Sequence, residues 1–137
     1  MNTKPETKYR PSENEPYMND NQLQYFRDKL IRWSEALLAE SRETVAKMVQ
    51  GSPGEADLTD RAAREVETNF ELRTRDRHRK LLKKIEDALN KIEEGTYGYC
   101  AVTGEPIGVK RLDARPIATL SIEAQQDHEA AEKRRGN

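Results

Sequence analysis

Three stretches of this sequence carry residue types that could do chemistry. The first is Asp57-Leu58-Thr59-Asp60-Arg61-Ala62, two carboxylates three residues apart at the expected start of a helix. Acidic residues there complement the helix dipole and cap free N–H groups; held at the end of a long element, they would also form a charged probe aimed at a metal ion or a basic loop of a partner. The second is the run from Arg73 to Lys84, with seven Lys or Arg against one Asp. It reads either as a solvated helix face or as a contact patch for an acidic partner or a phosphate ligand. The third is Tyr-Cys-Ala-Val-Thr-Gly-Glu-Pro-Ile-Gly, residues 99–108, the outline of half a zinc ribbon.

That outline lacks its chemistry. A four-ligand zinc site needs two Cys-x-x-Cys pairs separated by a spacer. Cys100 opens the first pair, Thr103 closes it, and a second pair 17 residues on would fall at Ser121 and Ala124. Serine is a poor zinc ligand and alanine none. The two histidines, His78 and His128, lie outside any ligand spacing. Zinc is therefore not expected, and Cys100, with no basic neighbour in sequence, reads as a structural thiol rather than a redox sensor. No phosphate loop, nucleophile elbow or His–carboxylate pairing is visible, so no enzyme is expected.

The bulk composition limits what can hold these residues. Of 137 residues, 34% are hydrophobic and 36% charged, and the formal net charge is −1. Ordinary domains are roughly 45–50% apolar, so an elongated chain with much surface per residue is expected. The balanced charge gives no global attraction to nucleic acid or membrane. A lone cysteine excludes an internal disulfide, and no apolar run approaches the roughly 20 residues that span a bilayer. A soluble cytoplasmic protein is the expectation.

The positioning elements follow from periodicity. Residues 1–18, with three prolines, read as an arm belonging to a globular module. A helix starting at Asn19 or Asp20 carries the stripe Leu23, Phe26, Leu30, Trp33, Leu37, Thr44 and Met48, spaced 3 and 4 with one weak rung near Glu40. Gly51-Ser-Pro-Gly54 breaks it. A second helix is expected from about Thr59 to Glu94, with the sparser stripe Val66, Phe70, Leu81, Ile85, Ala88 or Leu89, and Ile92. Of the 35 residues from Asp60 to Glu94, 19 are charged, so neither helix buries enough alone. Together residues 19–94 predict an antiparallel coiled-coil hairpin, tip at 51–60, about 45–50 Å long at 1.5 Å per residue. An intermolecular coiled coil is the alternative; the short turn favours the monomer. Residues 95–137 read as the degenerate zinc-finger module, its turns marked by Gly98, Gly104, Pro106, Gly108 and Pro116, followed by a helix from about Ala118 to Arg134. The fold class is mainly α.

Several segments together resemble the DksA/TraR family of bacterial transcription regulators, and its cysteine-poor branch in particular. They are YMNDNQLQYFRDKLIRW, DLTDRAA, ELRTRDRHRKLLKKIEDALNKIEEGTYGYC, GEPIGVKRLDARP and SIEAQQDHE. The resemblance runs in register from Tyr17 onward. It implies a protein that binds RNA polymerase rather than DNA, whose coiled coil enters the secondary channel and sets its tip near the active centre. It implies further that it acts with guanosine tetraphosphate, inhibiting stable-RNA promoters and activating others. The family tip Asp-x-x-Asp-x-Ala falls on Asp57, Asp60 and Ala62. A polymerase contact falls on Arg77, and nucleotide contacts at the polymerase interface fall on Leu81, Lys84 and Arg115. Gln125 stands where the family has a lysine. Two readings of other kinds compete: a channel factor that rescues arrested complexes by transcript cleavage, and a thiol switch at Cys100. Where zinc is lost, Ile107, Leu112, Ile117 and Leu120 with Tyr97 and Tyr99 are expected to replace metal with packing.

Overall fold

A computed structural model describes residues 9–49 and 58–136. These contain four helices, α1 (Asp20–Val49), α2 (Leu58–Glu94), α3 (Val109–Ala114) and α4 (Ile122–Arg135). The mainly α fold class expected from periodicity holds. The chain forms two compact units. One joins the N-terminal stretch through Ile31 to the chain from Asp87 onward; the other is Arg32–Glu86. The predicted turn at 51–54, and with it most of the tip, lies outside the described residues.

The boundaries of the long helices have local causes. At the start of α1, Asn19 Oδ1 accepts the N–H of Gln22 at 3.0 Å. Gln22 reaches back, its Oε1 accepting the N–H of Met18 at 2.7 Å. This reciprocal pair satisfies the Gln22 N–H, which a helix start leaves orphaned, and the Met18 N–H just before the cap. Gln22 is fully buried, and its amide N–H also donates to the Ser12 carbonyl at 3.2 Å, tying the arm to the helix. At the other end, α2 stops at a Schellman turn. Gly95 takes φ +83°, its N–H donates to Ile92 C=O, and the Thr96 N–H donates to Lys91 C=O at 2.9 Å. A left-handed residue there favours glycine.

The unit Arg32–Glu86 consists of the second half of α1 and most of α2, running antiparallel. Leu37 and Ile85 are buried, with Trp33 and Leu81 half-buried beside them. Farther along, the seam turns polar. His78 Nε2 lies 3.3 Å from Glu40 Oε1, and Thr44 donates to the Glu40 carbonyl. Thr74 Oγ1 and His78 Nδ1 are buried without a hydrogen-bond partner. Here the structure corrects the sequence reading of α2. Val66 and Phe70 are not on the seam; they are 68% and 59% exposed. The heptad that runs back from Leu81 and Ile85 passes through Thr74 and His78, and the spacing between Phe70 and Leu81 hid this change of face.

The other unit has a closed core. Phe26 and Leu30 of α1 are fully buried, as is Leu112 of α3; Ala88, Tyr97, Cys100, Ile107, Val109 and Ala124 complete it. The Phe26 and Tyr97 rings sit 5.7 Å apart, and Tyr97 donates to the Pro116 carbonyl at 2.7 Å. Of the side chains expected to replace metal, Leu112, Ile107 and Tyr97 are buried, Ile117 and Leu120 are half-buried, and Tyr99 is 39% exposed, edge-on to Tyr17. The last helix starts at Ile122 rather than near Ala118, because Ser121 caps it. The six residues of α3 are too few for periodicity to reveal.

Candidate functional site

The expected tip residues stand at the start of α2. Asp60 is in its first turn, and Asp60 and Ala62 are exposed. Asp57 lies outside the described residues. Farther along α2, Arg77 and Lys84 are exposed and Leu81 is half-buried toward the seam. Asp76 pairs with Arg79 and with Lys80, so its carboxyl is held below the usual range, first by the Arg79 hydrogen bond and then by Lys80. None of the ion pairs among the described residues uses Arg73, Arg77 or Lys84. Arg115 is exposed at the C-terminal end of α3, where its N–H donates to Arg111 C=O. It belongs to the other unit, apart from Leu81 and Lys84 along the chain's division.

The four knuckle positions do come together. The Thr103 N–H points to Cys100 Sγ at 3.5 Å, and the Ala124 N–H donates to Ser121 Oγ at 3.1 Å. Each pair thus keeps the same turn, in which the first side chain accepts the N–H three residues on; the second pair uses oxygen where a metal knuckle would use sulfur. The two turns are joined by the Ala101 N–H, which donates to the Thr119 carbonyl at 2.8 Å. Cys100 is buried. Hydrogen bonds from the Thr103 hydroxyl and the Ser121 backbone, helped by the N–H groups of Thr103 and Val102, bring its thiol down to about 6 against the counter-effect of burial. Such a nest is what a metal-bound thiolate uses. The donor set does not fit tetrahedral zinc: one thiol, two weak hydroxyls and a methyl replace four sulfurs. Among the described residues no group of three or more His, Cys, Asp or Glu could hold a metal ion.

Sequence reasoning missed the Tyr17 hydroxyl. It donates to Gly98 C=O at 2.6 Å and accepts the Gly108 N–H at 2.9 Å, clamping the arm onto the knuckle. Gly98 has φ +93°, and an added Cβ would meet Met18 and the Tyr17 hydroxyl at 3.1–3.2 Å. The sequence marks Tyr9 and Tyr17 as the only anchors of a polar arm, without indicating what either hydroxyl holds. The described residues include no helix long and apolar enough to cross a membrane.

Comparison with known proteins gives concordant results. Residues 22–92 match the family model of the DnaK suppressor protein DksA, N-terminal domain, and residues 95–130 match that of the prokaryotic dksA/traR C4-type zinc finger. A relative from Caulobacter vibrioides is 58% identical over 91% of this chain and 88% of its own length. One from Escherichia coli K12 is 45% identical over 91% of this chain and 83% of its own. Both bear the name RNA polymerase-binding transcription factor DksA. The solved structure of transcription factor DksA2 from Pseudomonas aeruginosa superposes with a TM-score of 0.77 at 39% identity, covering 85% of this chain and 90% of that one. The long helices, the knuckle turns and the aligned sequences converge on one conclusion: the chain belongs to the DksA family.

Proposed function

We propose that this chain regulates transcription by binding RNA polymerase through the secondary channel, with no direct contact to DNA and no catalysis of its own. The observation that carries the reading is its likeness, across nine-tenths of its length, to relatives named for polymerase binding. The hairpin presents Asp60 and Ala62 in exposed positions at the start of α2, and Arg77 is exposed on its outer face, in no ion pair among the described residues. Asp57 completes the tip. In a confined channel, where water screens poorly, carboxylates act on a magnesium site or a mobile loop far more strongly than in bulk solvent. Leu81 and Lys84 on one unit, and Arg115 on the other, each serve as contacts for guanosine tetraphosphate at the polymerase interface. The protein acts as a cytoplasmic monomer, inhibiting stable-RNA promoters and activating others.

The test is transcription in vitro from a ribosomal RNA promoter, with and without guanosine tetraphosphate. Inhibition is expected to disappear in Asp57→Asn/Asp60→Asn. Synergy with the nucleotide is expected to fall in Lys84→Ala and Arg115→Ala while polymerase binding persists. Unchanged inhibition by the tip variant would remove the tip as effector. We further propose that the module works without zinc. Metal analysis of the purified protein is expected to find far less than one zinc per chain, and chelation to leave the melting curve in place; stoichiometric zinc with unfolding on chelation would sink this.

A further inference from the structure

One outer face of α2 carries an uninterrupted row with helical spacing: Ala62, Val66, Phe70, Arg73, Arg77, Lys80 and Lys84, at steps of four, four, three, four, three and four. All seven are exposed. The row therefore begins apolar and ends cationic. Its apolar part is not a by-product of folding. Val66 and Phe70 are 68% and 59% exposed, while the neighbouring seam holds Thr74 and His78, each with a buried polar atom that has no partner. A helix selected only to close the hairpin would have exchanged these faces, since burial favours the apolar side chains and penalises the orphaned polar ones.

We propose that Val66 and Phe70 are apolar anchors of the polymerase contact, seated in a recess of an acidic polymerase surface whose charge Arg73, Arg77 and Lys84 complement. This rests on the polymerase-binding reading and deepens it. Two observations favour this occupant. Arg73, Arg77 and Lys84 carry charge that no ion pair among the described residues neutralises, in a chain whose net charge is only −1. The apolar pair is also continuous with Arg77 on the same face, Phe70 about two helical turns and Val66 about three turns away. Aromatic anchors ringed by arginine are the residues that dominate interface energetics, and cations at the rim steer the encounter.

The experiment is competition binding to RNA polymerase core enzyme at fixed salt, with the full-length parent, Val66→Ser, Phe70→Ser and Leu38→Ser. Leu38 is 44% exposed but lies on α1, off the row. Circular dichroism melting and sedimentation accompany each. Expected are at least tenfold weaker binding for Phe70→Ser, a smaller loss for Val66→Ser, no change for Leu38→Ser, and melting curves unchanged throughout. Parent-like binding by Phe70→Ser overturns the proposal. So does a loss of helix or melting temperature in that variant, which would make Phe70 a packed residue. So does Phe70-dependent self-association, or Phe70-dependent binding to a DNA duplex, each of which gives the face another occupant. Absence of polymerase binding by the parent overturns the functional reading itself, and is distinguishable because every variant then behaves alike.

Discussion

Lys29 holds Asp113 twice: its ammonium donates to Oδ1 at 2.7 Å and to the backbone carbonyl at 2.8 Å. Tyr25 donates to the same carboxylate at 2.6 Å, and Arg10 lies 3.7 Å from its other oxygen. These contacts fasten α1 to α3 inside one unit. Burial by itself would raise the Asp113 carboxyl, but the Lys29 and Tyr25 hydrogen bonds and the Lys29 and Arg10 charges outweigh it, and the group is lowered. A lowered carboxyl stabilises the fold above its unfolded value and loses that contribution as pH falls through the folded one. Asp113→Asn is therefore expected to cost about 1.5–3 kcal/mol at pH 7, with parent and variant converging below about pH 4. Urea titrations at several pH values measure this.

The Cys100 thiol offers a second pH test. Its absorbance at 240 nm should titrate with a midpoint of about 6 rather than the ordinary 9.0. Thr103→Val, which removes the hydroxyl that contributes most, is expected to move the midpoint up. Because the folded value is lowered, the thiolate's contribution is full above the unfolded value and is lost as pH falls through about 6. The stability difference between parent and Cys100→Ala should shrink over that range. If the thiol is structural, Cys100→Ala should also regulate transcription after peroxide treatment as the parent does.

The polar layer of the hairpin should be improvable. Thr74 Oγ1 and His78 Nδ1 are buried without partners, and an unmet buried polar group costs about 1–3 kcal/mol. Thr74→Val is expected to raise the thermal midpoint, and Thr74→Val/His78→Leu to raise it further. A lower midpoint in both would mean that ordered water serves these atoms.

The closed core should be intolerant. Phe26 is fully buried against Tyr97, and Phe26→Ala is expected to cost about 3–5 kcal/mol. Gly98→Ala should also destabilise, since φ +93° disfavours any Cβ and this one meets Met18 and Tyr17 at 3.1–3.2 Å; the left-handed region alone costs about 1–2 kcal/mol. Denaturant midpoints of both variants check the order of these effects.

The sequence made some of this readable and concealed the rest for physical reasons. The stripe of α1 was legible because Phe26, Leu30 and Leu37 fill consecutive seam positions. The end of α2 was legible because Gly95 follows Glu94 directly. The outer seam was not, because Val66 and Phe70 have the right residue types and a plausible spacing yet face solvent. Nothing local distinguishes an apolar residue kept for a partner from one kept for the core. In the knuckle, composition revealed the missing sulfurs, while the survival of both turns needed coordinates: the bond from the Ala124 N–H to Ser121 Oγ depends on a cap that residue types only permit.

The clamp formed by Tyr17 has a consequence in time. Its partners, Gly98 and Gly108, lie 81 and 91 residues downstream, and its unit is assembled from both ends of the chain around the intervening Arg32–Glu86 segment. On the ribosome the arm must wait until the knuckle emerges, whereas the antiparallel helices can pair as soon as α2 is made. At roughly 5–20 residues per second, the delay between Tyr17 and Gly108 is on the order of 5–20 s. A nascent chain therefore carries paired helices before it can complete the unit built from its two ends, and truncation before Gly108 should yield a hairpin whose N-terminal arm lacks one or both hydrogen-bond partners of the Tyr17 hydroxyl.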